Sequence, residues 1–169
     1  DAHDTVRRLQ AAGVQVHILS GDRPAAVAQV AHQLGIAQAH GACSPQDKLH
    51  ALQRAQQSGR KVAMVGDGLN DGPVLAGAHV SIALGQAVPL TQSNADLVLL
   101  GDKLGAVADA YVLSHHTLRI VRQNLWWAAF YNAVCVPLAW LGLLPPWLAG
   151  LGMALSSLLV VMNALRLNR

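Results

Sequence analysis

Residues 65–75, with the sequence VGDGLNDGPVL, place Asp67 and Asp71 four positions apart directly after a short apolar run. The run at 61–65, KVAMV, is almost continuously apolar, which is typical of a strand buried on both faces. The glycines on either side of Asp67 favour a turn in which the backbone can approach a ligand closely. The stretch therefore predicts a buried strand that ends in a carboxylate-bearing loop before a helix.

The rest of the first 105 residues alternates between helical and strand patterns. Helical spacing predicts helices at 4–12, 24–34 and 45–58, and a glycine follows each of them. Short apolar runs predict strands at 14–19, 61–65, 80–84 and 95–100. Strands that alternate with helices predict an α/β fold, in which a parallel sheet carries helices on its faces. We interpret residues 1–105 as part of one domain of this class, with a partial parallel sheet.

Two aspartate-bearing turns follow predicted strands, SGD at 20–22 and GDG at 66–68. Ligands gather at the carboxyl ends of parallel strands, so we expect the two turns to lie near each other. Two carboxylates there suit Mg²⁺, a hard cation that prefers oxygen ligands and often shares them with a phosphate. Lys48, at the start of a predicted helix, would add a positive charge to the same cluster. The alternative is that these are ordinary turns, which favour Gly and Asp, and for SGD alone this alternative is preferred.

The C-terminal part of the chain contains two long uncharged runs. Residues 125–144 and 147–165 contain twenty and nineteen residues without a charge, and Pro145-Pro146 separates them. Each run is about the length that a helix needs to cross a hydrocarbon core roughly 30 Å thick. We predict transmembrane helices at 124–144 and 147–166, preceded by a connecting helix at 106–123. The alternative is an apolar helical hairpin buried in a soluble core.

Basic residues flank the two runs on the same predicted side of the membrane. Arg119 and Arg122 precede the first run, and Arg166 and Arg169 follow the second. By the positive-inside rule that side is the cytosol. We therefore predict a multi-pass membrane protein in which residues 1–123 and the C-terminus are cytosolic.

Composition excludes several other classes of protein. The formal charge of +3 is small and dispersed, so it does not indicate a nucleic-acid partner. Cys43 and Cys135 lie far apart without a CxxC spacing, which indicates neither a disulfide scaffold nor a zinc ribbon. The chain begins at Asp1 within a helical pattern, so we expect it to be part of a longer protein.

The GDGLND motif, followed by Pro73 and Leu75, resembles the hinge motif of P-type ATPases, which belong to the haloacid-dehalogenase-like superfamily. In that family an aspartate on a DKTGT segment is phosphorylated by ATP. The resemblance implies that Asp67 binds the catalytic Mg²⁺ and that Asp71 supports the same site. It further implies that Ser20 and Lys48 contact the phosphoryl group. Asp22 would hold the loop that contains Gly21, and Asn70 would form a hydrogen bond within the hinge loop. No DKTGT segment occurs in this chain, so we expect its nucleophile to lie upstream and the chain alone to be inactive.

The uncharged runs resemble the last two helices of heavy-metal pumps for monovalent copper. The segments that carry this resemblance are NLWWAAFYN at 124–132 and MALSS at 153–157. The resemblance implies a Cu⁺ transport site that includes Tyr131, Asn132, Met153 and Ser157. A methionine thioether suits Cu⁺ better than it suits hard cations. The alternative is that Met153 only fills space and that the serines only allow close helix packing.

These observations together predict part of a pump that uses ATP to export Cu⁺ from the cytosol through an aspartyl phosphate. The resemblance implies Mg²⁺ as cofactor, and the lipid bilayer, the missing N-terminal part and a copper chaperone as partners. Residue usage rich in Ala, Leu and Arg indicates a bacterial inner membrane.

Three alternatives to the copper pump stay open. A membrane-anchored phosphatase of the same superfamily would need a DxDx[TV] nucleophile, which this chain lacks. A Zn²⁺ or Cd²⁺ pump generally has an acidic residue in its last helices, and residues 125–165 contain none. An interaction module without enzymatic activity has no sequence feature that supports it.

Overall fold

The computed structural model describes residues 1–66, 71–85, 92–93, 95–101 and 103–168. The chain divides into two compact units, Asp1–Asp109 and Ala110–Arg169. In chain order the described elements are α1 (Ala2–Ala11), β1 (His17–Leu19), α2 (Pro24–Leu34), β2 (Gln38–His40), α3 (Pro45–Gln57), β3 (Ala63–Gly66), α4 (Gly72–Gly77), β4 (Val80–Ala83), β5 (Leu97–Val98), α5 (Gly105–Trp140), α6 (Pro146–Ala164) and a 3₁₀ helix (Leu165–Asn168).

Local sequence signals define the ends of the helices in the first unit. α2 begins at Pro24 and ends at Leu34, and the capping residue Gly35 after it adopts the left-handed conformation with φ of 67°. α3 begins after Ser44, which forms a capping box with Asp47. The helices predicted at 24–34 and 45–58 are therefore observed with nearly the same bounds.

All strand pairs are parallel, as the α/β pattern predicts. β1 pairs with β2, and β3, β4 and β5 form a separate three-stranded sheet in that order. The expectation of one sheet is therefore corrected: among the described residues no hydrogen bonds join β1 to β3. Each of these two strands consequently has one edge without a strand partner in the described part of the chain.

The structure also corrects the predicted strand list. β2 was not predicted, because three residues of sequence QAH contain no apolar run. β1 and β5 are shorter than the runs at 14–19 and 95–100, since only part of each run pairs with a neighbour.

Two groups of apolar side chains support the two sheets. Val6, Ala31 and Ile36 form a buried cluster beside β1 and β2, against which Ile18 and Ala39 pack. In the other sheet Ile82 and Ala83 of β4 are buried, as are Val74 and Leu75 of α4. The carboxyl ends of β1 and β3 lead into the loops that carry the predicted site.

The second unit consists of most of α5, all of α6 and the 3₁₀ helix. α5 continues for 36 residues, so the segments predicted as a connecting helix at 106–123 and a membrane helix at 124–144 form one helix that ends at Trp140. Among the described helices, one is long and apolar enough to cross a membrane, at Pro146–Leu167. The polar side chains Asn124, Tyr131 and Asn132 interrupt the apolar part of α5. The membrane crossing by α5 stays a prediction.

Candidate functional site

The segment 20–22 after β1 is held by backbone hydrogen bonds to the segment after β2. The Ser20 amide donates to the His40 carbonyl at 3.0 Å, and the Cys43 amide donates to the Ser20 carbonyl at 2.9 Å. The Ala42 amide donates to the Asp22 carbonyl at 2.7 Å. These bonds hold the SGD turn in register beyond the end of the strand pair.

Gly41 and Ala42, which follow β2, have backbone positions that the contact with the SGD turn requires. A Cβ on Gly41 would lie 2.6 Å from the Pro24 Cα and 2.9 Å from the Asp22 carbonyl oxygen, which are clashes with backbone. Ala42 adopts a left-handed φ of 53°, which is uncommon for a residue with a side chain. The close approach of the two loops therefore depends on the absence of a side chain at Gly41.

Within the SGD turn the side chains of Ser20 and Asp22 bind each other. The Ser20 hydroxyl donates to Asp22 Oδ2 at 3.0 Å and accepts from the Asp22 amide at 3.2 Å. Both residues are at least partly accessible to solvent. The predicted role of Asp22 in holding the loop and the predicted phosphoryl contact of Ser20 both stay predictions.

The start of α3 positions Lys48. Ser44 accepts from the Asp47 amide at 3.2 Å, and its own amide and hydroxyl donate to Asp47 Oδ2 at 2.9 and 2.6 Å. These hydrogen bonds from Ser44 lower the pKa of the Asp47 carboxyl. Ser44 and Asp47 were not among the predicted site residues, although their spacing indicates this capping box. The cap fixes the first turn of α3, from which Lys48 extends.

Lys48 and Asp71 form an ion pair at the end of β3. Lys48 Nζ lies 2.7 Å from Asp71 Oδ1, and the two side chains retain 14% and 11% of their exposure. Asp71 lies at the N-terminus of α4, and a Cβ on Gly66 would come within 3.2 Å of its carboxylate. The sequence proposed both residues for one site, and the structure brings them into direct contact.

The residues present partly fit a magnesium ion. Asp71 provides a carboxylate next to the hinge loop, and Lys48 engages one of its oxygens. Asp67 and Asn70, the other predicted residues of the loop, lie outside the described residues. Among the described residues no group of three or more His, Cys, Asp or Glu side chains could hold a metal. The donor chemistry of Asp71 suits Mg²⁺, and its role as a ligand stays a prediction.

In the second unit, polar contacts join α5 to α6 along one seam. The Tyr131 hydroxyl donates to the Ala149 carbonyl at 3.4 Å, and Trp127 Nε1 donates to Ser156 Oγ at 3.0 Å. A Cβ on Gly152 would lie 2.9 Å from the Tyr131 hydroxyl, so this glycine makes room for the tyrosine.

The same seam continues to the other end of α6. Asn163 Nδ2 donates to Asn124 Oδ1 at 2.9 Å and to Gln123 Oε1 at 3.2 Å. Gln123 and Asn124 therefore lie level with the last turn of α6.

The predicted transport residues do not all lie on this seam. Tyr131 is half-buried within it, whereas Asn132, Met153 and Ser157 are exposed on the surface of the helix pair. The described contacts include no hydrogen bond between any two of these four residues. Met153 and Ser157 share a helix face, as their spacing predicts. A site built from all four side chains stays a prediction.

Comparison with known proteins places this chain among relatives of known class. A family model described as haloacid dehalogenase-like hydrolase matches residues 1–79. The nitrogen fixation protein FixI of Rhizobium leguminosarum bv. viciae is 45% identical over 99% of this chain and 22% of its own length. The probable copper-exporting P-type ATPase V of Mycobacterium tuberculosis is 45% identical over 100% of this chain and 22% of its own length. The chain spans about a fifth of the length of these curated relatives.

A solved structure extends the similarity to the backbone of both units. The crystal structure of a zinc-transporting PIB-type ATPase in the E2.Pi state matches with a TM-score of 0.91 and 34% identity. The match covers 99% of this chain and 27% of that chain. The SGD turn, Lys48, Asp71 and the helix pair all lie within the matched length.

Proposed function

Because this chain belongs to the heavy-metal P-type ATPases of the haloacid-dehalogenase-like superfamily, we propose that it forms part of an ATP-driven exporter of Cu⁺. In this proposal a phosphorylated aspartate outside this chain is the reaction intermediate, and the helices of the second unit contribute to the metal pathway. The protein would lie in a bacterial inner membrane and cross it several times. The rest of the pump, the bilayer and a copper chaperone would be its partners.

The observation that carries the proposal is the Lys48–Asp71 ion pair at the carboxyl end of β3. Phosphoryl transfer depends on positioning and on cationic groups that stabilise the charge of the transferred group. Asp71 would hold the Lys48 ammonium at the strand end, where ligands of parallel sheets gather. Asp67 and Asp71 would hold Mg²⁺, which supplies further positive charge when bound.

The SGD turn would provide the second side of the phosphoryl site. In the structure the Ser20 proton is donated to Asp22 Oδ2. Rotation about the Cβ–Oγ bond would redirect that proton toward a phosphoryl oxygen, while the Asp22 amide still donates to Ser20 Oγ. Asp22 would therefore position Ser20 and leave the contact with the phosphoryl group to the serine.

The strand edges support a nucleophile from elsewhere in the protein. Within the described residues β1 pairs only with β2, and β3 only with β4 in its sheet, so each has a free edge. We propose that the strand carrying the phosphorylated aspartate pairs there. Because parallel strands share their carboxyl edge, that aspartate would then lie beside Ser20 and the end of β3.

The chemistry of the second unit favours Cu⁺ over Zn²⁺ as the transported ion. Residues 110–169 contain no aspartate or glutamate, so this segment has no carboxylate to neutralise a desolvated divalent ion. Met153 presents a thioether that is 64% exposed and free to bind a soft ion. The exposure of Asn132, Met153 and Ser157 would allow other helices of the pump to complete the site.

Export of zinc is the second candidate function, because the zinc-transporting structure has a TM-score of 0.91 with this chain. ATP turnover by the full-length protein in vesicles distinguishes the two functions. We expect stimulation by Cu⁺ under reducing conditions and none by Zn²⁺. Stimulation by Zn²⁺ alone would contradict the copper proposal and support the second candidate.

A matched pair of substitutions tests the transport site. Met153→Leu keeps the volume and removes the sulfur, so we expect copper-stimulated turnover to fall about tenfold or more, as for other losses around metal sites. Phosphorylation by inorganic phosphate should stay near the wild-type level. Met162→Leu is the control, since Met162 is also exposed but lies half a helical revolution away from Met153. Equal copper activation in the two variants would remove Met153 from the site.

A further inference from the structure

A groove on α5 has the chemistry of a lipid-headgroup site. Its volume is about 770 Å³, and the residues that give it charge and aromatic surface are His115, Arg119, Arg122, Trp126, Trp127 and Phe130. All of them lie within the second unit. The groove therefore combines two guanidinium groups with three aromatic rings along one helix face.

The arginines of the groove have no counter-charge in this part of the protein. Residues 110–169 contain four arginines and no aspartate or glutamate. Among the described residues, neither Arg119 nor Arg122 takes part in an ion pair or a hydrogen bond to a side chain. Both guanidinium groups are exposed and so accessible to a group from outside this segment, and a phosphate diester matches the guanidinium fork with two parallel hydrogen bonds.

In the membrane placement proposed above, the contacts between α5 and α6 would put the groove at the membrane interface. Asn163 in the last turn of α6 binds Gln123 and Asn124, so this level of α5 matches the end of the apolar helix at Pro146–Leu167. Arg122 lies one residue outside that level, and Trp126 lies about 4.5 Å inside it at 1.5 Å per residue. Arg122 therefore lies on the water side of this level and Trp126 on the apolar side. A phospholipid in a membrane has the same order, with its phosphate toward water and its acyl chains toward the apolar core.

The aromatic residues provide surface for acyl chains. Trp126 is 77% exposed and Phe130 is 62% exposed, whereas the Trp127 indole is oriented by its hydrogen bond to Ser156. Large exposed aromatic side chains beside unpaired cations indicate an interaction surface.

We propose that this groove binds the headgroup of an anionic phospholipid on the cytosolic side of the membrane. The inference rests on the membrane placement in the proposed function, and it is independent of the transported ion. The headgroup of a zwitterionic lipid carries its own positive charge, which offsets its phosphate. The headgroup of an anionic lipid has a net negative charge that can compensate the charge of Arg119 and Arg122. The preference should therefore depend on these two arginines.

Lipid retention by the full-length protein tests the proposal. The protein is reconstituted with equal amounts of phosphatidylglycerol and phosphatidylcholine with the same acyl chains, extracted in mild detergent, and its retained lipids are measured by mass spectrometry. A juxtamembrane arginine contributes enough binding energy for about a fivefold preference. We expect phosphatidylglycerol to be preferred, with a loss of about fivefold in Arg122→Gln and a further loss in the double variant with Arg119→Gln.

Arg166→Gln is the matched control, because Arg166 lies at the same interface and does not line the groove. Its lipid preference should stay that of the wild type. Phosphorylation by inorganic phosphate reports separately whether each variant is folded and whether the proposed pump chemistry operates. Equal loss in Arg166→Gln would overturn the groove as the site. Absence of any preference in the wild type, which is expected if another protein segment fills the groove, would also overturn it.

Discussion

Substitution of Lys48 by methionine should expose the importance of its ion pair with Asp71. Lys48 Nζ lies 2.7 Å from Asp71 Oδ1, and Coulomb's law at an effective dielectric constant of about 20 gives an attraction of about 6 kcal/mol. Desolvation of the two groups offsets much of this attraction. Loss of one partner from a buried pair nevertheless costs about 3–5 kcal/mol, because the remaining charge stays buried. Since both side chains keep some exposure, we expect about 3 kcal/mol for Lys48→Met.

Hydrogen exchange in the full-length protein measures this cost locally. A loss of about 3 kcal/mol corresponds to exchange about two orders of magnitude faster for the amides of α3 and α4. Lys61→Met is the matched control, because Lys61 is exposed and forms no ion pair with the described residues. Its exchange should resemble that of the wild type.

A second substitution separates stability from chemistry. In Lys48→Met with Asp71→Asn no unpaired charge remains, so most of the lost protection should return. Formation of the phosphoenzyme should stay impaired in both variants, since the ammonium group is missing. Exchange within threefold of the wild type in Lys48→Met would refute the reasoning, as would a double variant that exchanges as fast as the single one.

Three further predictions concern other contacts. The Ser81 amide and hydroxyl donate to Asp96 and lower the pKa of its carboxyl, so this stabilisation is present above the unfolded pKa of about 3.9 and is lost as pH falls through the folded pKa. Hydrogen exchange of the β4 amides should therefore accelerate below about pH 4 relative to the Asp96→Asn variant. Parallel pH profiles of exchange in the two proteins would contradict this. Gly41→Ala introduces a clash with backbone and should destabilise the SGD turn by about 1–3 kcal/mol. The measurement is hydrogen exchange of the amides in that turn, which should be faster than in the control Gly72→Ala, where an added Cβ would meet no neighbouring atom. Gly152→Ala should displace the Tyr131 ring and reduce copper-stimulated turnover, whereas Gly150→Ala, where space is open, should not.

Local backbone chemistry made several elements predictable from sequence. Pro24 and Gly35 mark the two ends of α2, because one pre-sets a helical φ and the other tolerates the left-handed conformation. The alternation of helices and strands correctly predicted parallel pairing. β2 was not predicted, because it is a strand through its hydrogen bonds to β1 and not through its own composition.

In the candidate phosphoryl site, too, one contact follows from local sequence and another depends on the packing of helices. Ser20 and Asp22 are two positions apart, so a turn alone can join them, and the motif was sufficient to propose that Asp22 holds the loop. Lys48 and Asp71 are 23 positions apart, and their contact requires α3 to pack against α4. The residue types were readable from the sequence, but the ion pair depends on that packing.

The helix pair shows what sequence by itself determined and what only tertiary structure decided. Spacing placed Met153 and Ser157 on one face of α6, because 3.6 residues complete each turn. Which face meets α5 could not be read from this period. The packing turned Gly152 toward Tyr131 and Ser156 toward Trp127, leaving Met153 exposed. Helical periodicity relates residues within one helix, whereas the shape and hydrogen bonds of both helices determine which faces come together.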